Sequence, residues 1–133
     1  NMATVTAAIN LSSPAEGLLT SAISLSDSTN ITATETTGLA RAKVIKTAVH
    51  ADALVLYTVD DYAAPAYVYV KNTDTTATDF IYVYDDTTSG DPVILKLAGG
   101  QWAFMPTNAD KTLKAYATTA NTVIEWIVFG TDQ

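Results

Sequence analysis

Carboxylates are the side chains of this sequence with the most obvious capacity for chemistry. Asp60-Asp61 and the run from Asp85-Asp86 through Thr87, Thr88, Ser89 and Gly90 to Asp91 bring acidic oxygens close together, as a Ca²⁺ site requires. The spacing matches no EF-hand loop, and Asp, Ser and Gly are equally what tight turns use, so turn chemistry is the simpler reading and no metal ligands are assigned. Neighbouring Asp residues on extended backbone point to opposite sides, so they do not converge as an acid–base pair. His50, in TAVHADA, is the sole histidine and reads as a loop residue. The absence of cysteine excludes thiol nucleophiles, Cys-ligated zinc and disulfides together. No GxSxG, HExxH or phosphate-cradling glycine loop occurs. The expectation is no catalytic residues, no cofactor and no enzyme. Asn10-Leu11-Ser12 and Asn30-Ile31-Thr32 fit the glycosylation acceptor pattern, which arises readily by chance in so Ser- and Thr-rich a chain.

Aromatic side chains offer binding chemistry instead. Tyr67 and Tyr69 alternate in AYVYV, and Phe80, Tyr82 and Tyr84 alternate in FIYVY. Alternation puts Ala66, Val68, Val70, Ile81 and Val83 on the opposite faces as an aliphatic core set. Three readings of this aromatic ribbon stay open: packing on a second sheet, a subunit interface, or a platform for stacking sugars. The final apolar segment, TVIEWIVF, favours the interface. Ile124, Trp126 and Val128 fill one face, and Val123, Ile127 and Phe129 fill the other, broken by Glu125. A strand apolar on both faces is either central in its sheet or covered by a partner. The candidate interface or binding residues are therefore Tyr67, Tyr69, Tyr82, Tyr84, Val123, Ile127 and Phe129.

The elements that hold these residues follow from composition and pattern. The chain of 133 residues is 48% hydrophobic and 16% charged, enough for one globular domain spanning residues 1–133. Its net charge of −7, with no basic stripe, argues against nucleic acid as a partner. No apolar run approaches membrane-spanning length and no basic segment precedes an apolar one, so neither a membrane span nor a secretory signal is expected. Met2 reads as an initiator with one residue ahead of it, and Asn1 is left out of the fold reasoning.

Period-two segments separated by turn residues predict an all-β, antiparallel, jelly-roll-like sandwich of about ten short strands. The segments are 3–11, 18–26, 31–34, 39–47, 53–59, 66–70, 80–84, 92–98, 101–105, 112–118 and 122–129, with Asp27-Ser28-Thr29-Asn30 as a turn. Residues 109–118 also fit a helical stripe, but their Thr-rich flanks favour a strand. In LAGGQWAFMP, Gly99-Gly100 suits a two-residue hairpin turn. That register pairs Leu97 with Trp102 and Leu95 with Phe104 on one apolar face, making Trp102 a core residue rather than a ligand platform, and Pro106 ends the strand.

The order and texture of several segments resemble the small β-rich virion structural proteins of tailed bacteriophages. They are ATVTAAINL, TGLARAKV, PAYVYVKNTDTTATDFIYVY, LKLAGGQWAFMP and KAYATTANTVIEWIVFG. The resemblance implies a structural role in the virion, as a capsid decoration or cement protein or a tail-associated component, in a chain made in the host cytoplasm. It also implies homo-oligomers, trimers foremost, that bind phage capsid or tail proteins and have no catalytic residues to carry over. The alternative is a carbohydrate-binding module for host attachment that uses Tyr67, Tyr69, Tyr82 and Tyr84.

Overall fold

The computed structural model describes residues 2–16, 21–45, 53–87, 90, 92–119 and 121–133, with 39–45 described as backbone. Among these residues the protein is all-β, with ten strands in antiparallel sheets. They are β1 (Ala3–Ser13), β2 (Ile23–Ala33), β3 (Glu35–Ile45), β4 (Leu54–Tyr57), β5 (Tyr62–Asn72), β6 (Ile81–Asp86), β7 (Val93–Leu97), β8 (Trp102–Thr107), β9 (Thr112–Ala117) and β10 (Thr122–Asp132). The segment weighed between helix and strand is strand β9. His50 and Asp91 lie outside the described residues.

The chain divides into two compact units, Asn1–Ala33 and Thr34–Gln133. The first is a hairpin in which β1 and β2 pair without a bulge from Ala3↔Ala33 to Ser13↔Ile23. The expected turn at Asp27–Asn30 is therefore not a turn; those residues lie inside β2. Turn-forming side chains compete with the ladder by bonding locally, and Asp27 Oδ1 does accept from the Ser28 amide (2.8 Å), but the ladder holds and two side-chain bonds cross it. The Thr6 hydroxyl donates to Asn30 Oδ1 (2.9 Å) and the Ser26 hydroxyl to Asn10 Oδ1 (3.3 Å).

The second unit holds two four-stranded sheets, β3-β10-β5-β8 and β4-β9-β6-β7. Within them β3 pairs with β10, β4 with β9, β5 with β8 and β6 with β7, so the pairs nest as in one long hairpin. Rolling up that hairpin lays β10 against β5 and β9 against β6, which is the jelly-roll arrangement. The aliphatic sets meet between the sheets: Val68, Val70, Ile124 and Val128 from one, and Ile81, Val83, Leu113 and Ala115 from the other, all fully buried. Trp126 joins this core, as the alternation of β10 requires. Two tyrosines also enter it. The Tyr57 hydroxyl reaches Thr107 Oγ1 (2.9 Å), Tyr62 bonds with the Thr37 hydroxyl, and the two rings meet edge to face.

The corner where the rolled hairpin passes from one sheet to the other is built from Asn72 and the paired glycines. The Asn72 side chain is fully buried. It donates to the carbonyls of Asp79 (2.7 Å) and Leu97 (3.0 Å) and accepts from the Asp74 amide (3.0 Å). Gly99-Gly100 does form a turn: the Gln101 amide donates to Ala98 O (3.0 Å), and Gln101 Oε1 accepts from the Ala98 amide (2.8 Å). Gly100 has φ of +83°, and a Cβ on Gly99 would stand 2.4 Å from the Thr76 carbonyl oxygen.

The arms of this turn do not pair with each other, which corrects the expected hairpin. β7 belongs with β6, and β8 pairs with β5 in the other sheet. The turn is a crossover between layers, so the face shared by Leu97 and Trp102 does not exist. Leu97 is buried, while Ala103 and Met105 pack on the core in place of Trp102 and Phe104. Pro106 does not end the strand either. It pairs opposite Tyr67 within β8, an edge strand, where a missing N–H is tolerated.

Candidate interaction surface

The outer face of the β3-β10-β5-β8 sheet collects most of the expected binding residues. Cross-strand partners share a face. Tyr67 pairs with Phe129 and Pro106, Tyr69 with Ile127 and Phe104, and Lys71 with Glu125 and Trp102. Tyr67, Tyr69, Ile127 and Phe129 are thus brought together, with Val123 further along the same face of β10. Phe104 joins them: its ring stacks 6.3 Å from Tyr67 and 6.1 Å from Phe129, and Tyr67 lies 5.6 Å from Phe129. These near-parallel rings form a continuous aromatic layer, inclined by 15°, 27° and 14° respectively. Phe129 is buried beneath its neighbours, whereas Trp102 is 56% exposed and Phe104 39%.

Trp102 and Phe104 are the residues that sequence reasoning placed wrongly. β8 is apolar in both phases, so alternation alone cannot decide whether Trp102 and Phe104 or Ala103 and Met105 face inward. Bulk gives no signal either, because the core of the same sheet takes Ile124 and Trp126.

Polar groups at this face satisfy one another. The Tyr69 hydroxyl donates to Glu125 Oε1 (3.0 Å). Burial, then the hydrogen bond to Glu125 and its negative charge, raise the Tyr69 pKa above the usual tyrosine value. Glu125, the one break in the apolar pattern of β10, is thereby a partner for a tyrosine rather than an isolated carboxylate.

The remaining tyrosines do not extend this layer, because β5 and β6 belong to different sheets. Tyr82 stacks on Tyr116 (5.0 Å) on the outer side of β6 and β9, and Lys96 Nζ lies 4.2 Å above the Phe80 ring. Tyr84 meets Tyr116 edge-on and is itself buried, which removes it as an exposed binding residue. The expected single ribbon is therefore two separate clusters. Burial, with Tyr82 adding to it, raises the Tyr116 pKa.

The acidic loops serve as turns and pairs. Asp61 Oδ2 accepts from the Thr58 amide (2.8 Å) while the Asp61 amide donates to Thr58 O (3.1 Å). Asp86 pairs with Lys114 at 2.7 Å. Asp85 titrates above the ordinary aspartate value, first because of burial and then because of the nearby charge of Asp110, with Lys111 opposing. Among the described residues, no three His, Asp or Glu side chains converge as metal ligands would. No protein-family model matches the chain, and neither curated proteins nor solved structures yield a significant match.

Proposed function

We propose that this chain is a non-enzymatic structural protein of a tailed-phage particle, held there as an oligomer in a decoration or cement role. It uses the outer face of the β3-β10-β5-β8 sheet to bind capsid or tail protein. The observation that carries this reading is the exposure of Trp102 and Phe104 on an already continuous aromatic layer. Interface cores are enriched in Tyr, Trp and Phe, and hot spots in Trp, Tyr and Arg; here Trp102 lies at the end of the layer where Lys71 and Glu125 pair. A jelly roll hosts many unrelated functions, so the fold adds no weight by itself. The resemblance in segment order supplies the phage setting, and the use of Asp61, Asp86 and Glu125 in turns and pairs supports a role without catalysis.

The test is sedimentation with particles of the encoding phage assembled without this chain. The protein is expected to co-sediment, and Trp102→Ala with Phe104→Ala to abolish this while leaving the fold intact. Equal binding by the double variant would remove the face from the account. A second reading, sugar stacking during host attachment, is favoured by one feature: a half-exposed tryptophan on a sheet face suits a pyranose ring. A glycan array that shows binding lost with Trp102→Ala, alongside no particle binding, would replace the first reading with this one.

A further inference from the structure

The outer face of the β4-β9-β6-β7 sheet carries a cation that this acidic chain leaves without a counter-charge. Tyr82 lies opposite Lys96 on β7 and Tyr116 on β9, so the three share that face, with Phe80 two residues along from Tyr82. The Lys96 ammonium sits 4.2 Å from the centroid of the Phe80 ring and 5.7 Å from that of Tyr82. Ring contacts of this kind place an ammonium without neutralising it. Among the described residues no carboxylate lies within ion-pairing distance of Lys96, whereas Lys114 on the same face is paired with Asp86 at 2.7 Å. Lys96 is exposed, so its N–H donors are within reach of a ligand. The Tyr82 hydroxyl likewise has no hydrogen-bond partner among the described residues.

The rings beneath the ammonium are held in place. The Phe80 amide donates to Thr118 Oγ1 (3.0 Å), and Phe80 O accepts from the Thr118 amide (3.0 Å). Tyr82 is braced by Tyr116, their centroids 5.0 Å apart. Asp79, the acid next to Phe80, is occupied by the Thr119 hydroxyl (2.8 Å).

The size and charge of this cluster select its ligand. A net charge of −7 repels a nucleic acid, and one unpaired lysine is too little basic charge to hold an anionic membrane. At ~4.8 Å between strands and ~3.4 Å per residue, the patch from Tyr116 to Lys96 and from Phe80 to Tyr82 measures roughly 10 Å by 7 Å. That is far below the ~800 Å² that a specific protein partner covers, but it accommodates a sugar ring. On the side of Tyr84 the patch gives way to the Lys114–Asp86 ion pair. A single negative group carried on a ring with an apolar C–H face matches one ammonium beside aromatic carbon.

We propose that Phe80, Tyr82 and Lys96 form a binding site for an acidic sugar, a hexuronic acid residue of an anionic glycan. Its carboxylate accepts from the Lys96 ammonium, a ring hydroxyl meets the Tyr82 hydroxyl, and its C–H face lies against the aromatic cluster. The site is on the sheet opposite the proposed particle-binding face and does not depend on that reading.

Titration of the full chain with sodium glucuronate, glucose and sodium sulfate, followed by nuclear magnetic resonance shifts of Phe80, Tyr82 and Lys96, tests this. Glucuronate is expected to bind at least about 10-fold more tightly than glucose, and Lys96→Gln to lower glucuronate affinity about 10-fold or more while leaving glucose unchanged. Lys96→Arg should retain binding, and both variants should unfold at the parent temperature because the side chain is exposed. No glucuronate binding, equal affinity for glucose, or indifference to Lys96→Gln overturns the proposal. Sulfate binding as tightly as glucuronate would reduce the site to one for a free anion, and tighter binding of an acetylated Gly-Glu-Gly amide would assign it to an acidic protein segment; either result also overturns it. Trp102→Ala with Phe104→Ala should bind glucuronate as the parent does, so failure of this site and failure of the particle-binding face are read separately.

Discussion

Replacing Asn72 should unfasten the corner of the jelly roll more than any exposed substitution could. Its side chain is fully buried and makes three hydrogen bonds, to Asp79 O, Leu97 O and the Asp74 amide, tying the end of β5 to the start of β6 and the end of β7. Asn72→Ala leaves two carbonyls and an amide to find water in a site sized for an amide group. With each bond contributing about 0.5–1.5 kcal/mol net, the expected loss is about 2–4 kcal/mol. For a unit of this size that corresponds to a fall in Tm of about 10–25 °C. Asn72→Asp separates hydrogen bonding from shape. Its carboxylate has no proton to donate and faces two carbonyl oxygens, so its folded-state pKa rises above the unfolded value. That variant should be at least as unstable as Asn72→Ala at neutral pH and regain stability as pH falls through the raised pKa. Urea denaturation of both variants, followed by circular dichroism, measures the effect. A loss below about 1 kcal/mol for Asn72→Ala, or no acid recovery for Asn72→Asp, would show that the corner rests on something else.

The glycines give a paired prediction. Gly100→Ala meets no atom within 4 Å and should cost only the ~1–2 kcal/mol of a left-handed φ, whereas Gly99→Ala drives a Cβ against the Thr76 and Asp74 carbonyls and should cost clearly more by urea denaturation. Gly38→Ala combines a φ of +81° with a Cβ 2.5 Å from the Trp126 ring, so a loss of about 2–4 kcal/mol and an altered Trp126 near-ultraviolet signal are expected. The Asp85 pKa is raised in the folded state, so this group penalises folding above its folded pKa and the penalty fades as pH falls through it. Asp85→Asn should therefore raise Tm slightly at pH 7 and leave it unchanged near pH 3.

The sheets' inner faces were legible because alternation there has one sensible phase. In β5 and β6 only Ala66, Val68, Val70, Ile81 and Val83 form an aliphatic set, and all are fully buried. In β10, apolar on both faces, the sequence grouped Ile124, Trp126 and Val128 on the face opposite Glu125, and that face is the buried one; the two-sided pattern has a simple cause, since β10 lies between β3 and β5. The pattern failed where both phases are apolar, as in β8. It failed as well where a turn was assumed to join paired strands. A glycine pair that reverses the chain looks the same in sequence whether its arms pair or part to different layers, and only the distant partners, β5 for β8 and β6 for β7, decide. That choice split the tyrosines between two sheets and brought Trp102 and Phe104 to the surface. In β2, uninterrupted pairing with β1 overrode the turn preference of Asp27–Asn30, and no local rule anticipates a partner 24 residues away, as Thr6 is to Asn30.

The aromatic layer of the β3-β10-β5-β8 sheet is the centre of this account, and Trp102 reports on it directly. The chain has two tryptophans, Trp102 half-exposed and Trp126 buried against Gly38, so Trp126→Phe leaves a single reporter on the proposed binding face. Acrylamide quenching of that variant, free and then bound to the phage particles that the proposed function requires, is the decisive measurement. Efficient quenching in the free protein, falling several-fold with a blue shift on the particle, is the expected result. Equal quenching in both states, with the protein bound, would contradict the assignment of this face to the interface.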